Sequence, residues 1–356
     1  MNKIFFIILM FIFSYLSGEA TNDDFFLTGW YTNDSNLDFA FYYKFGDMNI
    51  NYIPILTSNH VWTSFVTIID DDLYIGGNYN DQIFIYKLGD SQIEKLSIFN
   101  NYLVLDVKSV YDHYNNEHYL YGEINLFNNT GSNAFYYKIG DLDISIIPNP
   151  PNSLGNARDS VILNNDLYFC GSYYVIGENK NYAYYYIAGE DCLNVIPMPE
   201  NTILSFANGI VAHNENIIIT GHYYDINSVA YAYYFIIGED AINIIPFDSE
   251  SIEGISGLDI TVFKDDVYIL GNLRNEIPIS YYYRIGDPFI NIIPDSEHCY
   301  INNAIAGKNN MYFAGHNFID NIWQVCYFDF ATKRMYIIPS NENIVRIQVN
   351  AAIIKY

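Results

Sequence analysis

Apolar and polar residues alternate along this chain in short runs, and the runs come in a fixed order. Between residues 206 and 246 four follow one another: FANGIVAH, NIIITGHY, AYAYYFIIG and AINIIP. Short runs rich in Ile, Val, Tyr and Phe, bounded by Gly, Asn and Asp, predict strands joined by tight turns. Asn214-Glu215-Asn216 divides the first run from the second, and Gly238-Glu239-Asp240 divides the third from the fourth. Glycine supplies the positive φ that such turns need, and Asp or Asn caps its own backbone there. No window combines a sustained 3.6-residue period with helix caps, so no helical domain is expected.

This four-run unit recurs. A glycine ending the second run stands at Gly29, Gly76, Gly122, Gly171, Gly221, Gly271 and Gly315, spaced 44 to 50 residues apart. A Gly-Asp or Gly-Glu-Asp marker ends the third run at Gly46, Gly89, Gly140, Gly189, Gly238 and Gly286, with Ala331 in the seventh copy. A proline closes the unit at Pro54, Pro148, Pro197, Pro246, Pro294 and Pro339, and Ser97 replaces it once. One four-stranded sheet cannot bury both of its faces, whereas a ring of them can. The spacing therefore predicts an all-β, seven-bladed β-propeller of four-stranded antiparallel blades. The chain ends on a first-run pattern (VRIQVNAAIIKY) and, after its apolar leader, begins on a second-run pattern (TNDDFFLTG). Pairing the C-terminal strand with the N-terminal strand would close the ring and remove two exposed edges.

Residues 72–99 resemble a kelch repeat: a Gly76-Gly77 doublet, Tyr86 after it, and Ile93 seven positions later. The resemblance extends weakly over all seven units. Only one unit carries the doublet, and the usual kelch Trp is replaced by Ile50, Ile93, Ile144, Leu193, Ile242, Ile290 and Met335. The resemblance implies a kelch-like propeller, a fold that mostly binds other proteins and also carries an oxidase.

The ends and the composition narrow the setting. Lys3 followed by the apolar stretch Ile4–Leu16, with Gly18 and Ala20 before Thr21, predicts a secretory signal over residues 1–20 and a single propeller domain over 21–356. The apolar stretch is shorter than a membrane span. The expected product is an exported, monomeric protein (secreted, periplasmic or at the cell surface) without stable membrane insertion. Lys and Arg number 16 against 41 Asp and Glu, a formal net charge of −25, which disfavours nucleic acid as a partner. Cys170, Cys192, Cys299 and Cys326 allow three disulfide pairings or free thiols, and no spacing among them suits a metal.

Propeller geometry puts the repeated Asp-rich turns on one face and the variable loops on the other. The repeated Asp residues are explained by turn chemistry rather than by Ca²⁺ binding. On the variable face the residue after the marker glycine is Trp30, Gly77, Glu123, Ser172, His222, Asn272 and His316 in turn. With Tyr31, His60, Trp62, Tyr173, Tyr223 and Arg274 nearby, Trp30, His222 and His316 make a candidate surface for a protein or glycan ligand. His113 and His118 read as ordinary surface histidines. GxSxG, HExxH and P-loop motifs are absent. The expectation is a non-catalytic binding propeller without cofactor or metal. The alternative is a carbohydrate-active hydrolase or lyase using acids at the channel mouth, for which Glu123 and Asp159 are the candidate carboxylates.

Overall fold

A computed structural model describes residues 24–355 except 34, 48, 56–60, 127–130, 248–252, 275–276, 320–321 and 339–343. The proposed export signal and His60 lie outside the described residues. The chain is an all-β propeller of antiparallel four-stranded units. Each unit is a meander whose fourth strand is short, only two residues in most units, as in Asn243–Ile244. The turns between first and second strands take the double positive-φ form expected of tight hairpins, as at Asn164 (54°) and Asn165 (69°). Where the seventh unit has Ala331 in place of glycine, the Asp329 carboxylate accepts the Ala331 and Thr332 amides instead.

Five four-stranded sheets stand separately, and the fourth and fifth repeats merge into one eight-stranded sheet. The expectation of seven separate blades is thus not met. The two-residue fourth strand Asn194–Val195 leaves most of Lys180–Ile187 uncovered, and Thr202–His213 reaches that edge through one parallel pair, Asn181 with Leu204. Strand Ile344–Lys355 pairs antiparallel with Asp24–Asn33.

Apolar residues pack between successive units. Among the described residues seven apolar clusters each mix two sequence-adjacent repeats, or the last repeat with the first sheet. Ile218 packs with Ile260 and Ile269, for instance, and Phe25 and Leu27 pack with Tyr312 and Tyr327. All four cysteines are free thiols.

The leading strands of the units are Val61–Ile69, Tyr102–Asp112, Ser153–Leu163, Thr202–His213, Ile255–Phe263, Cys299–Ala306 and Ile344–Lys355. Each carries a one-residue bulge against its second strand, at Ser64, Leu105, Arg158, Asn208, Leu258, Asn302 and Asn350 respectively. In six units the bulge explains the marker glycine, which pairs with the residue just before it; in the third, Gly122 pairs with Val107, beyond the Leu105 bulge. The bulge drives a leading-strand carbonyl across the second strand, so that a Cβ at Gly221 would sit 1.9 Å from the Phe206 oxygen, and one at Gly171 2.0 Å from that of Asn156. In the second repeat the equivalent position is Gly77, not Gly76, because Gly77 is the one that meets a leading-strand carbonyl, that of Trp62. A carbonyl displaced from its ladder needs another donor. In three units a tyrosine from the third strand supplies it: Tyr184, Tyr233 and Tyr281 donate to Asn156, Phe206 and Ser256 at 2.8, 3.0 and 3.2 Å.

Candidate functional site

The bulges turn polar side chains toward the space enclosed by the leading strands, and many of them bond to the next unit. Asn208 donates to the Gly257 carbonyl (2.7 Å), Asn302 to Val349 (3.2 Å), and Asn350 to Thr63. Asp159 accepts the Ile210 amide (2.9 Å), and Asp259 accepts that of Ala304 (2.7 Å). These bonds hold successive leading strands in register around two connected cavities.

The deeper cavity, about 260 Å³, is lined by residues of all seven leading strands, among them Ser64, Lys108, Asp159, Asn208, Asp259, Asn302 and Asn350. Burial pushes both carboxyls upward. Asp259 reaches about 7, with the Asp159 charge adding to the effect while the Ala304 and Ile260 amides and Lys108 oppose it. Every oxygen of both carboxylates already accepts a hydrogen bond: Asp159 also takes the Ser160 amide and the Tyr121 hydroxyl, and Asp259 takes the Ile260 amide. Asp159 and Asp259 thus each tie their own leading strand to that of the next unit.

The mouth cavity, about 480 Å³, is walled by Trp30 and Trp62 and lined by Ser64, Asp106, Lys108, Glu123, Arg158, Asn302, Gln348 and Asn350. Asp106 and Glu123 are direct cross-strand partners, just beyond the Leu105 bulge. The Val107 amide donates to Asp106 Oδ1 at 2.9 Å. Burial raises the Glu123 pKa, and Asp106 adds to this, against a Ser132 hydrogen bond and the Arg158 charge. The Arg158 Nε donates to Asn156 Oδ1 at 3.3 Å. The Arg346 guanidinium covers the Trp30 ring at 5.2 Å.

The candidate residues read from the sequence divide into groups. Trp30 and Trp62 come together at the mouth. Tyr31, Tyr173 and Tyr223 do not: each is buried in its own unit, stacked on Phe39, Tyr182 and Tyr231 at 5.1, 5.2 and 5.1 Å. Strand alternation turns a residue inward when its predecessor faces the loop side, so Trp30 and Tyr31 point opposite ways. His222 stacks on Phe206 (5.0 Å), with its Nδ1 3.1 Å from Asn208 Nδ2, and burial lowers its pKa to about 4. His316 lies between Tyr300 and Trp323 and is likewise held neutral by burial, its pKa also about 4. Arg274 covers Tyr224 at 4.6 Å and borders a separate groove with Glu253, Asn272 and Tyr300. His118, read as a surface residue, is buried, edge-on to Phe65 and Tyr111.

Glu123 and Asp159 do not converge. Glu123 lines the mouth, Asp159 lines the deeper cavity, and the partner of Glu123 is Asp106. Sequence reasoning missed Asp106, Lys108, Arg158 and the amides because it looked for variation in loops. For Arg158 and two of the amides the signal was a residue breaking the first-run pattern thirteen places before Gly77, Gly171, Gly221 and Gly315: Ser64, Arg158, Asn208 and Asn302.

No family model matches the chain, and no curated protein sequence matches it. Solved structures share its fold. A puromycin-hydrolyzing peptidase of Mycobacterium tuberculosis superposes with a TM-score of 0.60 at 8% identity, over 90% of this chain and 51% of the peptidase, so the chain spans about half of that protein's length. A periplasmic gluconolactonase of Pseudomonas aeruginosa gives 0.51 at 12% identity, over 92% and 99%. TolB of Acinetobacter baumannii gives 0.50 at 8% identity, over 98% and 71%. The similar structures are mostly hydrolytic enzymes, peptidases and gluconolactonases, and this overturns the expectation of a non-enzyme drawn from missing motifs. At such identities the likeness is one of fold, and the chemistry must be argued from the site. No helix among the described residues is long and apolar enough to cross a membrane.

Proposed function

We propose that the mouth cavity is a hydrolytic site for a cyclic, polyhydroxylated substrate, a glycoside or a sugar lactone. The observation that carries this reading is the Asp106–Glu123 pair. Like charges directly opposite in a sheet are destabilising, and directly opposite residues carry their Cβ atoms about 5 Å apart. Two carboxyl groups side by side on one cavity wall can divide the acid and base roles of glycoside cleavage. Burial raises the Glu123 pKa, which suits it to donate a proton to the leaving oxygen. Asp106, steadied by the Val107 amide, is suited to act as the carboxylate that attacks the ring carbon or activates water. Trp30 and Trp62 offer flat surfaces for the sugar ring, and Asn302, Gln348 and Asn350 offer amide partners for its hydroxyls. The test is a turnover screen on chromogenic glycosides and sugar lactones. Glu123→Gln and Asp106→Asn should each lower the rate about 100-fold or more, with a melting temperature no lower than that of the wild type.

In the same reading the eight-stranded sheet counts as two units, because each half supplies its own leading strand to the cavity lining. Seven units then surround the axis, closed by the pairing of Asp24–Asn33 with Ile344–Lys355. The apolar leader over residues 1–20 supports export, and the net charge of −25 supports a solution partner other than nucleic acid.

A further inference from the structure

We infer that the substrate of the mouth cavity carries an anionic group, a carboxylate or sulfate on the sugar ring, held by Arg158 and Lys108; the inference rests on the hydrolytic reading above. Cations are scarce in this chain, 16 against 41 acidic residues, and at the unit edges they are committed to ion pairs, as in Lys44 with Asp24 and Arg284 with Asp287. Lys108 and Arg158, by contrast, stand on the wall of one cavity and form no ion pair among the described residues. The Arg158 side chain is exposed to that space, with one neutral amide oxygen, that of Asn156, at 3.3 Å.

Its position in the repeat is informative. Arg158 is a bulge residue, and the equivalent residues of the other units are Ser, Leu or Asn, all shorter and uncharged. Asn208, Asn302 and Asn350 each donate to a carbonyl of the next unit, whereas Arg158 donates to Asn156 of its own strand, so Arg158 is not held there by the same inter-unit bond. A guanidinium fork matches a carboxylate or sulfate with two parallel hydrogen bonds, and Lys108 adds a point charge.

The test uses the full-length chain with Glu123→Gln to suppress turnover. Binding of glucuronic and galacturonic acid di- and trisaccharides, of their methyl esters and of 6-sulfated galactosides is followed by calorimetry and tryptophan fluorescence at low salt. The free acid or the sulfate should bind about tenfold or more tightly than the neutral ester, as expected when a charge-assisted hydrogen bond is gained. Which of the two anions binds identifies the source of the charge. Arg158→Gln and Lys108→Met should each shrink the preference, Arg158→Lys should retain part of it, and Arg284→Gln at the outer turn should leave it intact. Melting curves identify any variant that fails to fold, and Arg158→Lys then carries the test. Equal binding of acid and ester, or a preference that survives Arg158→Gln, overturns the inference and leaves the hydrolytic reading standing. Failure of every saccharide to bind overturns both.

Discussion

Replacing Asp259 by asparagine should flatten the dependence of stability on pH. Folding raises this carboxyl from about 3.8 to about 7, through burial first and the Asp159 charge second. Between those values the folded chain holds a proton that the unfolded chain releases, so stability falls as pH rises through roughly 4 to 7 and stays reduced above 7. A shift of about three units corresponds to ~4 kcal/mol. Because Asp259 is partly open to the deeper cavity, that figure is an upper bound. Each kcal/mol moves the midpoint of a chain this size by roughly 2 °C. Asp159 stays in both proteins, so the difference between the two curves reports Asp259 together with its interaction with Asp159. The assay is thermal unfolding at constant ionic strength from pH 4.5 to 8.5. The wild type should lose several degrees more than Asp259→Asn across that range. Asparagine can still accept the Ala304 amide, so the variant should approach or exceed the wild type above pH 7. Parallel curves would refute the claim that burial raises the Asp259 pKa in the folded chain.

Other expectations concern the bulges and the mouth. Gly221→Ala would place a methyl 1.9 Å from the Phe206 oxygen and should destabilise by about 3 kcal/mol or more in chemical denaturation. Tyr233→Phe removes the donor to that same carbonyl and should cost about 1–2 kcal/mol, measured in the same way. Trp30→Ala combined with Trp62→Ala should abolish saccharide binding in calorimetry while leaving the melting temperature within about 2 °C, because both rings line the cavity rather than the core.

The repeat, its four strands and the hairpin turns were legible because each rests on local chemistry: alternation, Gly and Asn in turns, and a fixed period. Gly221 and its equivalents were visible as markers, but their cause was not, since the clash they avoid involves a carbonyl some fifteen residues away in sequence. The merging of the fourth and fifth repeats was not legible either, because it turns on one parallel pair at the uncovered edge of Lys180–Ile187. The site was half visible. Trp30, Trp62 and Glu123 stood out in variable loops, whereas Tyr31, Tyr173 and Tyr223 were misplaced by ignoring the two-residue period within the same strands. Asp106, Lys108 and Arg158 lie in strands, where a polar residue reads as a break in pattern, and only the bulge register shows that they share a cavity.

One comparison decides the role of the mouth cavity: hydrolysis of a glycoside and sugar-lactone panel by the wild-type chain beside Glu123→Gln and Asp106→Asn, all three shown to be folded by their melting curves. Turnover by the wild type that collapses in both variants is the predicted result. Turnover that persists in both, or none with any substrate of the panel, would contradict the assignment of the mouth cavity as a hydrolytic site.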